Sequence, residues 1–373
     1  MTSMLNKKKY NPDFSIKEWK ALSVVKFVCV AAMIFVHAHL VLVTDSYVFT
    51  DTSGFFYKVT NNFMFIGLFL FTLPIIAGSI LRMNLDGHIV GEKLGEYSFR
   101  KIINVAVFIS LAGFLMNIFT WGIWYVFSWN VLQLIGLSFV VIAALLKVFS
   151  TRAVFLLGII TLFAAQPLRF FLGGFDHFYF VDIFIGANNA FNFWPFFPWF
   201  SIVAFGFLFA HYYLRYRDSV KFRISAMGIG ILFIAIAIFR GEISPYLDPA
   251  YIWGPSLFQP KIGLVFASMG LFCVLAVIAN VFFNNIHLKK YGIINSYSKG
   301  ILWIYAIQMF ASYKLSFVIK RFFSIEPSNF AYFILPIGML LLGWLVGALS
   351  IKLLQEKLIV VKLKKIDEKK SLF

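Results

Sequence analysis

Residues 23–40 read SVVKFVCVAAMIFVHAHL, and how that stretch is read decides the fold. It is apolar enough to lie in lipid, yet it carries Lys26 near one end and His37 and His39 near the other. A helix of about 20 apolar residues crosses a hydrocarbon core of about 30 Å while satisfying its own backbone hydrogen bonds. The stretch is therefore expected to be a membrane helix. Its three ionisable groups need a reason, because such groups inside a span are costly and usually face a bundle interior or a wet cavity.

The rest of the chain has the same texture. Of 373 residues, 61% are hydrophobic, 20% aromatic and only 13% charged. A soluble domain of that composition would expose too much apolar surface. Ten runs of spanning length are expected, at 21–43, 62–83, 101–122, 125–148, 153–168, 194–216, 222–239, 262–283, 300–319 and 330–352. The fifth is short and is expected to end at Pro167. The fold class is thus all-α, a polytopic membrane bundle of about ten helices. The first run is too long for a cleavable signal and lacks a small-residue cleavage site, so it is expected to stay as a helix.

Charge sets the expected orientation. With residues 1–20 in the cytoplasm, inside segments collect roughly 25 of the 33 Lys+Arg and outside segments about 7. Both termini are then cytoplasmic. The chain divides into an N-terminal segment 1–20, a membrane domain 21–355 and a basic tail 356–373. The net charge of +17 reads as a topology signal and an attraction to anionic membrane lipids, with no nucleic-acid partner implied. Cys29 and Cys273 both fall inside expected spans, which makes a structural disulfide or a metal site an unsuitable reading. No internal repeat is visible, which weakens a transporter built from duplicated halves. The outer segments 169–193 and 240–260 mix glycine, aromatics and acids such as Asp176 and Asp182. They are expected to fold over the outer mouth, where an extended polar ligand would dock.

At 100° per residue Lys26, Met33 and His37 share one helix face, whereas His39 points elsewhere. Lys26 and His37 are about 16 Å apart along the axis. That face offers a cation for an anionic cytosolic group and, further out, a proton acceptor. A plainer reading stands beside it: Lys26 snorkels to the headgroups and the histidines sit at the outer interface. Gln133 and Gln308, with Asn104, Asn117 and Asn280, also have a plain reading as hydrogen-bonding groups between helices. Arg82 opens the most polar inner loop, suited to phosphates or simply topogenic.

The pattern from Ser23 to His37, S-x-x-K-F followed by Met33 and His37, resembles the first-helix signature of the heparan-α-glucosaminide N-acetyltransferase-like family, among the transmembrane acyltransferases. That signature usually reads Asp-x-x-Arg-Gly, five residues, Met, three residues, then His or Asn. Met33 and His37 match, Lys26 replaces the arginine, and Ser23 and Phe27 replace the aspartate and glycine. NVLQLIGLSFVVIAAL, with Gln133, is similar to a second family helix; FNFWPFFPWFSIVAFGFLFA matches a Pro-rich segment at Pro195, Pro198, Trp199 and Gly206. GPSLFQPKIGLVFASMGL weakly resembles the approach to the eighth span. YSKGILWIYAIQMF resembles a later helix in which Gln308 stands where histidine is common.

The resemblance implies transfer of an acyl group, usually acetyl from cytosolic acetyl-CoA, to a carbohydrate or lipid-linked glycan across the membrane. His37 is then the expected general base, with His39 in reserve. Lys26 and Arg82 would hold CoA phosphates, and Gln133 would donate to the thioester carbonyl; Gln308 is grouped with these donor-binding residues. A bacterial-type cytoplasmic membrane is the expected location. The rival reading is a carrier or flippase for a lipid-linked sugar, with the same residues lining a path.

Overall fold

The structure is a computed structural model that describes residues 19–44, 68–69, 71–85, 89–90, 93–172, 179–186, 194–216, 219–241, 260–283, 292–323 and 335–352. The N-terminal residues, the basic tail and most of the two outer segments, Asp176 included, lie outside the described residues. Helix α1 spans Lys20–Thr44, α2 Leu73–Asn84, α3 Glu96–Trp121, α4 Val131–Val148, α5 Thr151–Leu172 and α6 Tyr179–Ile185. The series continues with α7 Phe196–Tyr216, α8 Val220–Phe239, α9 Ile262–Phe283, α10 Gly292–Phe323 and α11 Leu335–Lys352. Between α2 and α3 a two-residue antiparallel ladder pairs Ile89 with Leu94 and Val90 with Lys93. Among the described residues eight helices are long and apolar enough to cross a membrane. The chain is an integral, multi-pass helical protein.

Helix α3 begins at Glu96 rather than 101 and α4 at Val131 rather than 125, and three further differences from the sequence reading have a local reason. The second span is not one α-helix among the described residues: short 3-10 turns at 68–69 and 71–72 precede α2, which starts at Leu73 with Pro74 in its first turn. Proline is tolerated there because its missing N–H would be unpaired anyway. The fifth span does not stop at Pro167; α5 runs through it to Leu172. Membrane helices accommodate an internal proline where neighbours hold the chain beyond it, and here Arg169 does so. The ninth span is longer than expected because α10 begins eight residues earlier, at Gly292, with a polar first part containing Ser296, Ser298 and Lys299.

Helix α7 is the hub. It packs on α2, α4, α5 and α9, while α1 lies against α9 and α10, and α8 lies against α9. Phe71 of the turn before α2 stacks on Trp199 at 5.5 Å, and Arg82 at the end of α2 reaches His211 near the end of α7. The two helices therefore run parallel. Gly78 and Gly206 bring them into backbone contact: a Cβ on either would fall 2.0 Å from a carbonyl oxygen of the other helix. Leu111 and Leu115 on α3 and Ile231 and Leu232 on α8 are exposed. A soluble protein would not present such surfaces side by side; against lipid they need no cover.

Candidate functional site

His37 lies well inside α1, 4% exposed, and Gln308 lies halfway along α10, 2% exposed. Their side chains meet, with Nδ1 of His37 3.1 Å from Oε1 of Gln308. Two residues separated by 271 positions thus form one polar pair inside an apolar bundle. The helices are set for it by a second pair nearer their starts, where Ser298 Oγ donates to Ser23 Oγ at 3.0 Å. Phe27 sits edge-on to Tyr297 at 5.1 Å in the same seam. Ser23, which stands where the family signature has aspartate, is therefore part of the α1–α10 contact. With Nδ1–H donating to the amide oxygen, the imidazole carries its lone pair on Nε2.

The other candidates fall elsewhere. Arg82, 8% exposed, points Nε and Nη2 at Nδ1 of His211, 3.2 and 3.1 Å away. Both N–H groups converge on one ring nitrogen, so His211 presents its lone pair there. This pair belongs to the end of the bundle where α1 begins, because Trp19 stacks on Tyr213 at 4.0 Å. Cys29 lies beside Thr72, which sets α1 and α2 level at that point. His37 then lies about 12 Å from this level in one direction and Arg82 about 15 Å in the other, roughly 27 Å apart along the bundle. Lys26 is half-buried on α1 between the two. His39 is on α1, but its side chain lies outside the described residues.

Gln133, 1% exposed, closes the start of α4. Its Oε1 accepts the backbone N–H of Asn130 at 3.1 Å, while the Asn130 side chain accepts from the N–H of Leu132 at 2.8 Å. Asn130 also donates to Asn117 Oδ1 at 2.7 Å, and Asn117 to the carbonyl of Ser128 at 2.5 Å. This is a capping box extended into a knot between α3 and α4. Gln133 is not brought to His37 by any contact among the described residues.

Two residues were missed by the sequence reading. His211 gave no signal beyond being a histidine near the end of a span. Arg169 was visible only as the first cation of an outer segment. In the structure it donates from Nε to Ile185 O at 2.6 Å, from Nη1 to Pro260 O at 3.2 Å and from Nη2 to Phe197 O at 3.1 Å. One guanidinium thus gathers α6, the start of α7 and the approach to α9, at the end of the bundle opposite the start of α1.

An apolar cleft of about 220 Å³ opens between α5, α7, α8 and α9, lined by residues such as Phe155, Leu162, Ala204, Phe233 and Phe266. No ionisable side chain is among the residues that line it. Among the described residues no group of three or more His, Cys, Asp or Glu is arranged around a metal position.

A family model described as heparan-alpha-glucosaminide N-acetyltransferase, catalytic, matches residues 20–246. The match takes in His37, Arg82, Gln133 and His211 and ends before Gln308. No curated protein and no solved structure matches the chain.

Proposed function

The chain belongs to the heparan-α-glucosaminide N-acetyltransferase catalytic family, and from that premise we propose that it moves an acetyl group from cytosolic acetyl-CoA to a hydroxyl or amine of an extracytoplasmic glycan, with His37 as general base. Membership supports a membrane acetyltransferase; the donor, the acceptor's side of the membrane and the residue roles are the proposal. The observation that carries it is the buried His37–Gln308 pair. An imidazole is the side chain best matched to proton transfer near neutral pH, and a hydrogen bond at one ring nitrogen determines which nitrogen acts.

The chemistry follows from that tautomer. The acceptor oxygen or nitrogen attacks the thioester carbonyl while His37 Nε2 takes its proton. The carbonyl becomes an oxyanion. On collapse the carbon–sulfur bond breaks, and the imidazolium returns its proton to the departing thiolate.

The orientation is supported by the charge at the two ends. Lys93, Arg100, Lys147, Arg152, Arg215 and Arg223 are among the cations at the end where α1 begins, against Arg169, Arg240, Lys261 and Lys314 among the described side chains at the other. The cation-rich end is the cytoplasmic one by the positive-inside rule. Arg82, with His211 beside it, and Lys26 are then placed to hold phosphates of an extended donor whose thioester reaches inward to His37. In the same orientation the end of the bundle tied by Arg169 is the acceptor's side.

The test uses native membranes and acetyl-CoA labelled in the acetyl group. Label should appear covalently on a glycan, and His37→Ala should lower the rate by about a hundredfold or more while the protein still inserts. Unchanged glycan labelling in the variant would falsify the base assignment. Movement of a sugar across sealed vesicles with no covalent label would favour the carrier instead.

A further inference from the structure

Gln308 uses only half of its amide on His37. Its Oε1 is within hydrogen-bond distance of the imidazole, whereas Nε2 is buried with no partner among the described residues. A buried donor without an acceptor is costly, and native proteins keep few of them. Four other buried polar atoms share this state, on Trp19, Thr120, Ser138 and Ser201. Three of those are hydroxyls, which rotate to suit; the Gln308 amide is held in direction by its bond to the ring. Because Oε1 and Nε2 share one carbon, the unpartnered N–H group lies close beside the imidazole.

We propose that Gln308 is a second catalytic residue, which holds the His37 ring with its amide oxygen and donates from Nε2 to the thioester carbonyl oxygen as that oxygen becomes an oxyanion. This rests on the reading of His37 as general base. The donor is already held in place and already dehydrated, which is the condition under which a single hydrogen bond acts most strongly on developing charge. A glutamine suits both tasks at once, since it presents an acceptor and a donor whatever the proton state of its neighbour. The long helix α10 brings it to the site, beyond the stretch matched by the family model.

Gln308→Met and Gln308→His decide it, assayed in membranes with labelled acetyl-CoA. Methionine has similar length and no donor, so kcat should fall about a hundredfold while KM for acetyl-CoA stays within about twofold and the thermal midpoint is kept. Histidine restores a ring N–H and should recover most of the rate. Parental kcat in the Met variant, a loss confined to KM, or a loss that tracks unfolding overturns the proposal. Should the Met protein not accumulate, Gln308→Asn takes its place. It keeps both groups but withdraws them by one methylene, and parental turnover there overturns the proposal equally. His37→Ala separates the two ideas: an active His37 variant sinks the base reading, whereas an inactive one beside a fully active Gln308→Met sinks only the role of Gln308.

Discussion

Gln133 and Gln308 are both buried glutamines on membrane helices, but their surroundings set them different tasks. Gln133 closes a capping box whose signature, an asparagine followed three residues later by glutamine, stands in the sequence at Asn130 and Gln133. Asn130 is the centre of that knot, bonded to Leu132, Gly113 and Asn117. Asn130→Ala is expected to cost about 1–2 kcal/mol of stability, seen as a lower thermal midpoint. Turnover per folded molecule should not change. A kinetic defect without a stability defect would mean that the knot reaches the chemistry. Gln308 has no such local signature, because its partner lies 271 residues away, and no pattern along one helix reveals a contact with another.

At the scale of elements, the crossing of α2 and α7 depends on two hydrogen atoms. Gly206→Ala would place a methyl 2.0 Å from the carbonyl oxygen of Ile75, and Gly78→Ala would do the same to Val203. Backbone cannot give way as a flexible side chain can, so each substitution should cost about 3 kcal/mol or more. Because Ser79 Oγ donates to Gly206 O at 3.0 Å in the same crossing, the damage should extend to that bond. Gly228→Ala on α8 is the control: nothing lies within 4 Å of its Cβ position, and alanine should be neutral or stabilising by up to about 1 kcal/mol. Thermal unfolding of the three variants in one detergent checks the contrast. Gly206 already stood out in the sequence through its place in the family-like segment, but only the packed pair explains why a side chain is not tolerated there. Pro167 misled for a related reason. It looked like a helix end, whereas the three carbonyls held by Arg169 carry α5 past it.

The whole molecule has two chemically different ends. Cations crowd the end where α1 begins, and there Glu96 joins Lys147 at 2.8 Å and Arg100 at 3.1 Å across α3 and α4. Exposed aromatics stand at both ends, with Tyr97 77% and Phe149 61% exposed at this one and Trp124 92%, Phe170 84% and Phe239 90% at the other. Aromatic rings of this kind suit the headgroup level of a bilayer. The arrangement predicts labelling by a membrane-impermeant maleimide. Cys29 and Cys273 are buried, so the parent should be silent. Trp124→Cys should react in intact cells, and Arg152→Cys only after the cells are opened. The reverse pattern would invert the orientation and remove Arg82 from the donor's side.

The sequence by itself determined that this is a helical membrane protein, roughly where its helices run, and which family it resembles. Each of those properties is written in consecutive residues: the length of an apolar run, a cation beside it, or a motif such as that from Ser23 to His37. Tertiary structure alone decided that His37 meets Gln308, that Arg82 sits with His211 at the far end, and that Arg169 ties together three backbone carbonyls. Those are contacts between different segments of the chain. They depend on how ridges, glycines and capped ends let the helices settle against one another, and that geometry belongs to the packed bundle as a whole.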